Sequence, residues 1–240
     1  AMIDTVFFDL DNTIFDFNKA EHIALAKTLE ELGIPPSEET CARYSVINLA
    51  QWKLLEKGVI TRREVKLRRF RLLFEELGVP AAPEEAAARY ESLLGIGHYF
   101  MDGAEELLQT LYGNYRLYLV TNGTAAVQKG RLESAQLQKY FEDIFISEEI
   151  GFNKPDIRYF ESCFSRIPSF SRETSVIVGD SLTSDIQGGI NAGIRTVWFH
   201  PEREASGTAG EEEAVRPDRE IRKLMELPEL LRNWDSAGRQ

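Results

Sequence analysis

The segment Val6-Phe7-Phe8-Asp9-Leu10-Asp11-Asn12-Thr13 decides the fold prediction for this chain, because in it an apolar run stops at two carboxylates. Apolar residues in succession are typical of a strand that is buried on both faces at the centre of a parallel sheet. Asp9 and Asp11 then follow where that strand would end. Carboxylates this close repel each other, and partial burial disfavours their ionisation. The segment therefore predicts a site where a cation, a shared proton or a lysine offsets their charge.

The remainder of the chain after residue 97 alternates between strand-like and helix-like segments. The predicted strands, including the first one, cover residues 5–10, 116–120, 144–147, 175–179 and 196–199. Helical segments lie between the later strands, and this alternation is typical of parallel βαβ units. We therefore expect an α/β fold with a Rossmann-like parallel sheet and helices on both of its faces.

A long stretch that follows the first strand, residues 18–97, carries no strand signal and is helical in character. Predicted helices cover residues 20–32, 38–57, 62–77 and 83–94, with Gly and Pro between them. The predicted organisation is a core domain of residues 1–17 and 98–240 that is interrupted by a helical cap domain of residues 18–97. Trp52 is expected to pack between cap helices. A solvated helix face is expected for the arginines Arg62, Arg63, Arg68 and Arg69.

The composition excludes several classes of partner. With 28 basic and 39 acidic residues the formal charge is −11, so a broad basic footprint for a nucleic-acid polymer is not expected. No apolar run is long enough to cross a membrane, and no basic-then-apolar leader is visible, so the expected location is the cytoplasm. The two cysteines are too few for a disulfide scaffold. We expect a monomer or a homodimer.

Polar residues follow four of the predicted strands or the loops after them. These segments are Asp9-Leu10-Asp11, Thr121-Asn122-Gly123, Lys154 within Gly151-Phe152-Asn153-Lys154-Pro155, and Gly179-Asp180-Ser181 with Asp185 shortly after. Each alone has an ordinary explanation as a turn, a helix cap or a solvated lysine. In open α/β sheets, however, ligands bind beyond the carboxyl ends of the strands. Four such segments at one edge indicate a common site.

Phosphoryl transfer through a carboxylate is the chemistry that this set of residues suits. Asp9 could attack phosphorus as a nucleophile, and Asp11 could act as general acid and then as general base. Mg²⁺ prefers oxygen ligands, so Asp9, Asp180 and a backbone carbonyl would suit it. The segment Thr121-Asn122-Gly123 could bind phosphoryl oxygens through its hydroxyl and backbone N–H groups. Lys154 could offset the charge of nucleophile and phosphate alike.

These residues resemble a known family. The four motifs of the haloacid dehalogenase superfamily are similar, in the same order, to Asp9-x-Asp11-x-Thr13, Thr121, Lys154 and Gly179-Asp180-x-x-x-x-Asp185. The helical insert resembles the C1 cap of that superfamily. The resemblance covers nearly the whole chain and implies a Mg²⁺-dependent hydrolase that forms an aspartyl-phosphate.

The resemblance also implies a role for each residue of the site. Asp9 would be nucleophile and metal ligand, and Asp11 would be the acid/base and a ligand through its main-chain carbonyl. Asp180 would ligate Mg²⁺, and Asp185 would orient either the surroundings of the metal or the lysine. Thr121 and Lys154 would bind phosphate.

The substrate class follows from Asp11 and from the insert. Dehalogenase members of the superfamily lack an acid at the position of Asp11, because a halide leaves without a proton, so Asp11 favours phosphate esters. Residues 9–21, Gln51-Trp52 and the arginine-rich helix resemble a pyrimidine 5′-nucleotidase subgroup, which implies a nucleoside 5′-monophosphate. Three alternatives stay open: a sugar-phosphate phosphatase, a phosphomutase, and a non-catalytic protein that binds a phosphorylated metabolite. In each case the partner is a small phosphorylated metabolite.

Overall fold

The computed structural model describes residues 2–201 and 214–234. The strands within these residues are β1 Thr5–Phe8, β2 Arg116–Thr121, β3 Asp143–Ile146, β4 Ser175–Gly179, β5 Arg195–Phe199 and β6 Arg219–Ile221. The α-helices are α1 Phe17–Glu31, α2 Glu38–Glu56, α3 Arg62–Leu77, α4 Pro83–Leu94, α5 Ala104–Leu111, α6 Ala125–Ala135, α7 Ser147–Ile150, α8 Ile157–Phe164, α9 Gln187–Ala192 and α10 Leu227–Asn233. Among the described residues, no helix is both long enough and apolar enough to span a bilayer.

The strands form one parallel sheet in the order β3-β2-β1-β4-β5-β6, which confirms the predicted fold class. Strand β1 lies between β2 and β4, and Phe8 is in register with Leu119 and Val178. The order of the strands reverses beside β1, and in open α/β sheets this reversal opens a crevice for ligands at the carboxyl ends. Asp9 and Asp180 follow the two strands that border the reversal, so the topology brings them to the same crevice.

Strand β1 is apolar because both faces of the sheet are covered at its centre. Val6, Phe7 and Phe8 are fully buried. Phe7 stacks on Tyr118 with ring centroids 5.5 Å apart, and Tyr118 stacks on Phe145 at 5.7 Å. Burial of one such aromatic side chain contributes about 1.5–3 kcal/mol to folding. The cost of placing charged groups at the end of this strand is therefore offset by a well-packed core beneath them.

Two elements of the α/β part were not predicted. Strand β6 is only three residues long and reads Arg-Glu-Ile, so its sequence lacks the apolar run by which strands are recognised. Helix α7 is a single turn after β3. Strand β1 also ends at Phe8, two residues earlier than expected, because the chain turns sharply at Leu10.

The helices α1 to α4 form their own core, in which α2 packs on α3 and α1 on α4. Tyr44, Phe70 and Tyr90 come from three different helices, and their ring centroids lie between 5.2 and 5.5 Å apart. Thr61 caps α3 by accepting a hydrogen bond from the N–H of Glu64 at 3.2 Å, as the capping pattern predicts. The predicted packing role of Trp52 is confirmed, because it lies against the buried residues Leu55, Ile60 and Val65.

The prediction of a solvated face was wrong for Arg69, which is 3% exposed. Its Nη1 donates to Oδ1 of Asn48 at 3.2 Å, and its guanidinium lies 4.8 Å from the centroid of the Tyr90 ring. Asn48 in turn donates to the buried carboxylate of Glu21 at 3.0 Å. Because the acceptor and the aromatic face that contact the guanidinium lie on other helices, the composition of α3 alone could not reveal this burial. Arg63 is exposed, as expected.

The chain divides into two compact units. The first consists of Ala1–Asp16, Phe100–Ala125 and Gln136–Gln240, and the second of Phe17–Tyr99 and Ala126–Ala135. Most of helix α6 thus belongs to the second unit, together with α1 to α4. A Cβ at Gly130 would lie 2.5 Å from the carbonyl oxygen of Gly95, so the backbone of α6 packs directly on the end of α4. The division into a core domain of residues 1–17 and 98–240 and a cap domain of residues 18–97 remains a prediction.

Candidate active site

A tight turn after β1 holds the first two acids. Leu10 is fully buried, and its carbonyl oxygen accepts a hydrogen bond from the N–H of Phe15 at 2.9 Å. Asn12 has a φ of 58°, in the left-handed region that asparagine tolerates better than most residues. The chain therefore turns back at once, and Asp9 and Asp11 stay at the end of the strand.

Asp9 is fixed through both its backbone and its side chain. Its N–H donates to the carbonyl oxygen of Val178 at 3.0 Å, which continues the ladder between β1 and β4. Its Oδ2 accepts from Oγ1 of Thr13 at 3.3 Å, and its Oδ1 accepts from Nζ of Lys154 at 3.0 Å. With 8% of its surface exposed, Asp9 is reachable at one side. An oriented carboxylate of this kind can serve as a nucleophile.

Lys154 lies buried at the centre of the candidate site, with 2% of its side chain exposed. Its ammonium donates to Oδ1 of Asp185 at 2.7 Å, to Oδ1 of Asp9 at 3.0 Å and to the carbonyl oxygen of Val120 at 2.9 Å. Three acceptors match the three N–H groups of an ammonium. Burial alone would lower the pKa of Lys154, but the carboxylates of Asp185 and Asp9 outweigh it and raise the pKa above its usual value. The charged ammonium form of Lys154 is therefore favoured in the site.

Three carboxylates lie around this single ammonium group, so their negative charge exceeds its positive charge. Oxygens of Asp9, Asp180 and Asp185 all lie within 4.8 Å of one another. Burial, followed by the charge of Asp9, raises the pKa of Asp180 well above its usual value. Burial and Asp9 likewise raise the pKa of Asp185 to about 7, against the opposing effect of Lys154. Excess negative charge and an all-oxygen donor set are what a hard divalent cation such as Mg²⁺ requires, so the residues fit that ion.

Asp185 is held in a π-helical turn, Leu182–Ile186, directly after β4. Its Oδ1 accepts from Lys154 and its Oδ2 accepts from the N–H of Ser181 at 3.2 Å, so both oxygens have protein donors. The carboxyl group packs against Gly179 so closely that a Cβ at this glycine would lie 2.3 Å from Cγ of Asp185. The absence of a side chain at Gly179, at the end of β4, therefore leaves room for the carboxyl group of Asp185.

Replacing Gly179 with alanine is expected to lower stability by about 1–3 kcal/mol, the usual cost of forcing a methyl group into a packed site. Asp185 cannot move aside without losing its bonds to Lys154 and Ser181. Thermal unfolding of the purified protein measures the effect. Gly97→Ala is the control, because there the nearest contact of the added Cβ would be an ordinary 3.6 Å. Equal melting temperatures for the two variants would contradict the packing argument.

Thr121, the last residue of β2, and the two residues after it form the segment that is expected to bind phosphoryl oxygens. Oγ1 of Thr121 accepts from the N–H of Gly123 at 3.1 Å, which makes a compact turn beside the site. The side-chain amide of Asn122 bonds to the backbone of Lys154 through both its oxygen and its nitrogen. Sequence reasoning selected Asn122 for phosphate binding but had no means of identifying this partner.

Trp198 is a supporting residue that sequence reasoning missed. It lies on β5, next to β4, and its Nε1 donates to the main-chain carbonyl oxygen of Asp180 at 2.8 Å. Its ring stacks on that of His200 with a centroid distance of 3.8 Å. This hydrogen bond fixes the backbone at Asp180, the member of the acidic cluster that directly follows β4. A tryptophan near the end of a predicted strand is the signal that could have indicated it.

The structure brings together four of the predicted site residues: Asp9, Lys154, Asp180 and Asp185. Asp11 lies two residues after Asp9 in the chain, but its partly exposed carboxylate is not in the acidic cluster of the described residues. This position suits an acid that exchanges protons with a leaving group or with water better than one that binds a metal through its side chain.

Comparison with known proteins gives a consistent result. A family model described as haloacid dehalogenase-like hydrolase matches residues 6–199. Pyrimidine 5′-nucleotidase PynA of Streptococcus pneumoniae is 41% identical over 195 residues, which are 81% of this chain and 82% of PynA. Pyrimidine 5′-nucleotidase YjjG of Escherichia coli is 31% identical over 229 residues, 95% of this chain and 97% of YjjG. The crystal structure of the HAD-hydrolase YfnB from Bacillus subtilis, bound to magnesium, has a TM-score of 0.88 at 41% identity and covers 96% of this chain and 99% of YfnB.

Proposed function

The chain belongs to the haloacid dehalogenase-like hydrolase family and is an enzyme of that family, and we propose that it hydrolyses phosphomonoesters. The proposed reaction uses Mg²⁺ and passes through an aspartyl-phosphate at Asp9. The observation that carries the proposal is the buried ammonium of Lys154 between Asp9 and Asp185, with Asp180 in the same cluster. A carboxylate repels a negatively charged phosphate ester, so a nucleophilic carboxylate needs a cation nearby. The ammonium of Lys154 is such a cation.

The proposed reaction has two steps. In the first, an oxygen of Asp9 attacks phosphorus and the bond between phosphorus and the ester oxygen breaks, while Asp11 gives a proton to the leaving oxygen. In the second, Asp11 takes a proton from water, and the water oxygen attacks phosphorus. The bond between phosphorus and Asp9 then breaks, and free carboxylate and inorganic phosphate remain. Lys154 orients the carboxylate of Asp9 for the attack through its hydrogen bond to Oδ1.

Mg²⁺ would be held by carboxylate oxygens of Asp9 and Asp180 and by the main-chain carbonyl of Asp11. When bound, it would neutralise charge on the phosphoryl oxygens. Asp185 would act through Lys154 and through the backbone of Ser181, the residue after Asp180, because both of its oxygens already accept hydrogen bonds there.

We propose nucleoside 5′-monophosphates, and pyrimidine nucleotides in particular, as the substrate class. Two relatives with 41% and 31% identity are named pyrimidine 5′-nucleotidases, and they match 81% and 95% of this chain. Asp11 supports an ester over a halide, since the alcohol that leaves requires a proton.

Phosphate release from a panel of esters tests both parts of the proposal. The purified protein with Mg²⁺ is assayed on pyrimidine and purine nucleoside 5′-monophosphates and on sugar phosphates. We expect release to be fastest with pyrimidine nucleotides, to stop with EDTA and to return with added Mg²⁺. No release from any ester would overturn the phosphatase proposal. Equal rates across the panel would overturn only the nucleotide class, and an isomerised sugar phosphate in the product would indicate a mutase.

Asp11→Asn is expected to lower kcat by ~10²–10⁴-fold, the usual contribution of a general acid/base. Because asparagine can neither donate the proton to the leaving oxygen nor remove one from water, both steps slow. Comparison of a nucleotide with an ester of an acidic phenol locates the loss, since a phenolate leaves without protonation. If release of the leaving group in the first turnover slows equally for the nucleotide and for the phenyl ester, Asp11 does not act as the acid of the first step.

A further inference from the structure

Asn122 makes an unusual pair of hydrogen bonds to one residue. Its Oδ1 accepts from the backbone N–H of Lys154 at 2.8 Å, and its Nδ2 donates to the backbone carbonyl of the same lysine at 3.0 Å. An amide can satisfy both groups because it carries a donor and an acceptor side by side. The two residues are 32 positions apart, so the contact joins two separate loops.

The loop that carries Lys154 has no regular secondary structure, and side chains from other elements hold its backbone: Asn122 bonds to Lys154, and Nδ2 of Asn191 donates to the carbonyl oxygen of Pro155 at 3.0 Å. Residues 151–156 lie between α7 and α8 and form turns and bends without helix or strand. The end of β2 and the residue after it hold this lysine at both ends, because Asn122 pairs with its backbone while the carbonyl oxygen of Val120 in β2 accepts from its Nζ at 2.9 Å. The position of the ammonium between the two acids thus depends on a contact made at its backbone.

We propose that Asn122 is a positioning residue, which holds Lys154 in place between Asp9 and Asp185 and does not itself bind the phosphoryl group. The proposal rests on the proposed function in that Lys154 is taken to support Asp9 as the nucleophile. It replaces the sequence-based expectation of phosphate binding at Asn122, since both polar ends of the amide are turned to the lysine backbone.

Acetylation of lysines by acetic anhydride, followed by peptide mass spectrometry, tests the proposal without any turnover. In the wild type Lys154 should react slowly, because 2% of its side chain is exposed. Asn122→Ala removes two hydrogen bonds and is expected to raise the labelling of Lys154 by ~10-fold or more relative to Lys66. Asn114→Ala is the control, since this exposed amide bonds only weakly, at 3.4 Å, to the carbonyl oxygen of Thr110. Unchanged labelling of Lys154, or an equal rise at Lys66, would overturn the proposal.

A double-mutant cycle then separates positioning from phosphate binding. We expect Asn122→Ala to lower kcat by ~10–100-fold, as the loss of supporting contacts around a site commonly does. In a Lys154→Met background the same change should cost less than ~2-fold, because the residue it positions is gone. Additive losses would show that Asn122 acts on the substrate directly and would overturn the proposal. If the wild type releases no phosphate, the proposed function fails, while the labelling result still decides the role of Asn122.

Discussion

Asp9→Asn is expected to reduce phosphate release by on the order of 10⁴-fold or more, the scale of loss when a covalent nucleophile is removed. The amide has nearly the shape of the carboxylate, so the bond from Thr13 and the ladder bond to Val178 can persist. What disappears is the anionic oxygen that attacks phosphorus. The loss should therefore be one of chemistry rather than of folding. Initial rates with a nucleoside monophosphate and Mg²⁺ measure it, and circular dichroism verifies the fold.

Asp143→Asn provides the matched control for this change. Asp143 begins β3, so it lies at the opposite edge of the sheet from the site, and it is exposed. Its replacement should leave the rate within about 2-fold of wild type, as expected for a surface position away from the site. Wild-type turnover in Asp9→Asn would remove the aspartyl-phosphate from the mechanism altogether.

Lys154→Met is expected to lower the free energy of unfolding by about 3–5 kcal/mol, the usual cost of removing one partner from a buried ion pair. For a chain of this size that corresponds to a fall of roughly 6–20 °C in Tm. Methionine fills a similar volume but leaves the carboxylates of Asp9 and Asp185 without their common cation, and both are buried or nearly so. Turnover should fall as well, to a residual rate that can still be measured. Differential scanning calorimetry without metal measures the stability effect.

Lys66→Met is the control for the buried pair. Lys66 also contacts a carboxylate, Glu91, at 3.0 Å, but the two side chains are 23% and 26% exposed. Solvent screening reduces the worth of such a pair, so its loss should cost less than ~1 kcal/mol. If the two lysine variants melted at the same temperature, the ammonium of Lys154 would not be the element that stabilises the acidic cluster.

The class of fold and most of its elements were predictable from local patterns. The apolar run before Asp9 is typical of a central strand, and alternating segments after residue 97 indicate parallel units. Helices α3 and α4 have the predicted bounds, because glycine, proline or a capping residue marks their ends. Strand β6 lacked such a signal, because its pairing with β5, rather than its own composition, makes it a strand.

The order of the site residues along the chain was also visible in the sequence. Each follows a predicted strand or the loop after it, and parallel strands place their carboxyl ends at one edge. The topology therefore made convergence of Asp9, Lys154 and Asp180 foreseeable without coordinates. What each side chain contacts there was not foreseeable, because a hydrogen bond between residues 145 positions apart leaves no local trace.

By itself, the sequence determined the α/β class, the helical insert and the residues proposed for phosphoryl transfer, because these depend on periodicity and on residue type. Only the tertiary structure decided the partners: Lys154 on both Asp9 and Asp185, Asn122 on the backbone of Lys154, and Arg69 buried against Tyr90. Such choices depend on distances between elements remote in the chain. A polar side chain can be satisfied by many neighbours, and packing alone selects which one it meets.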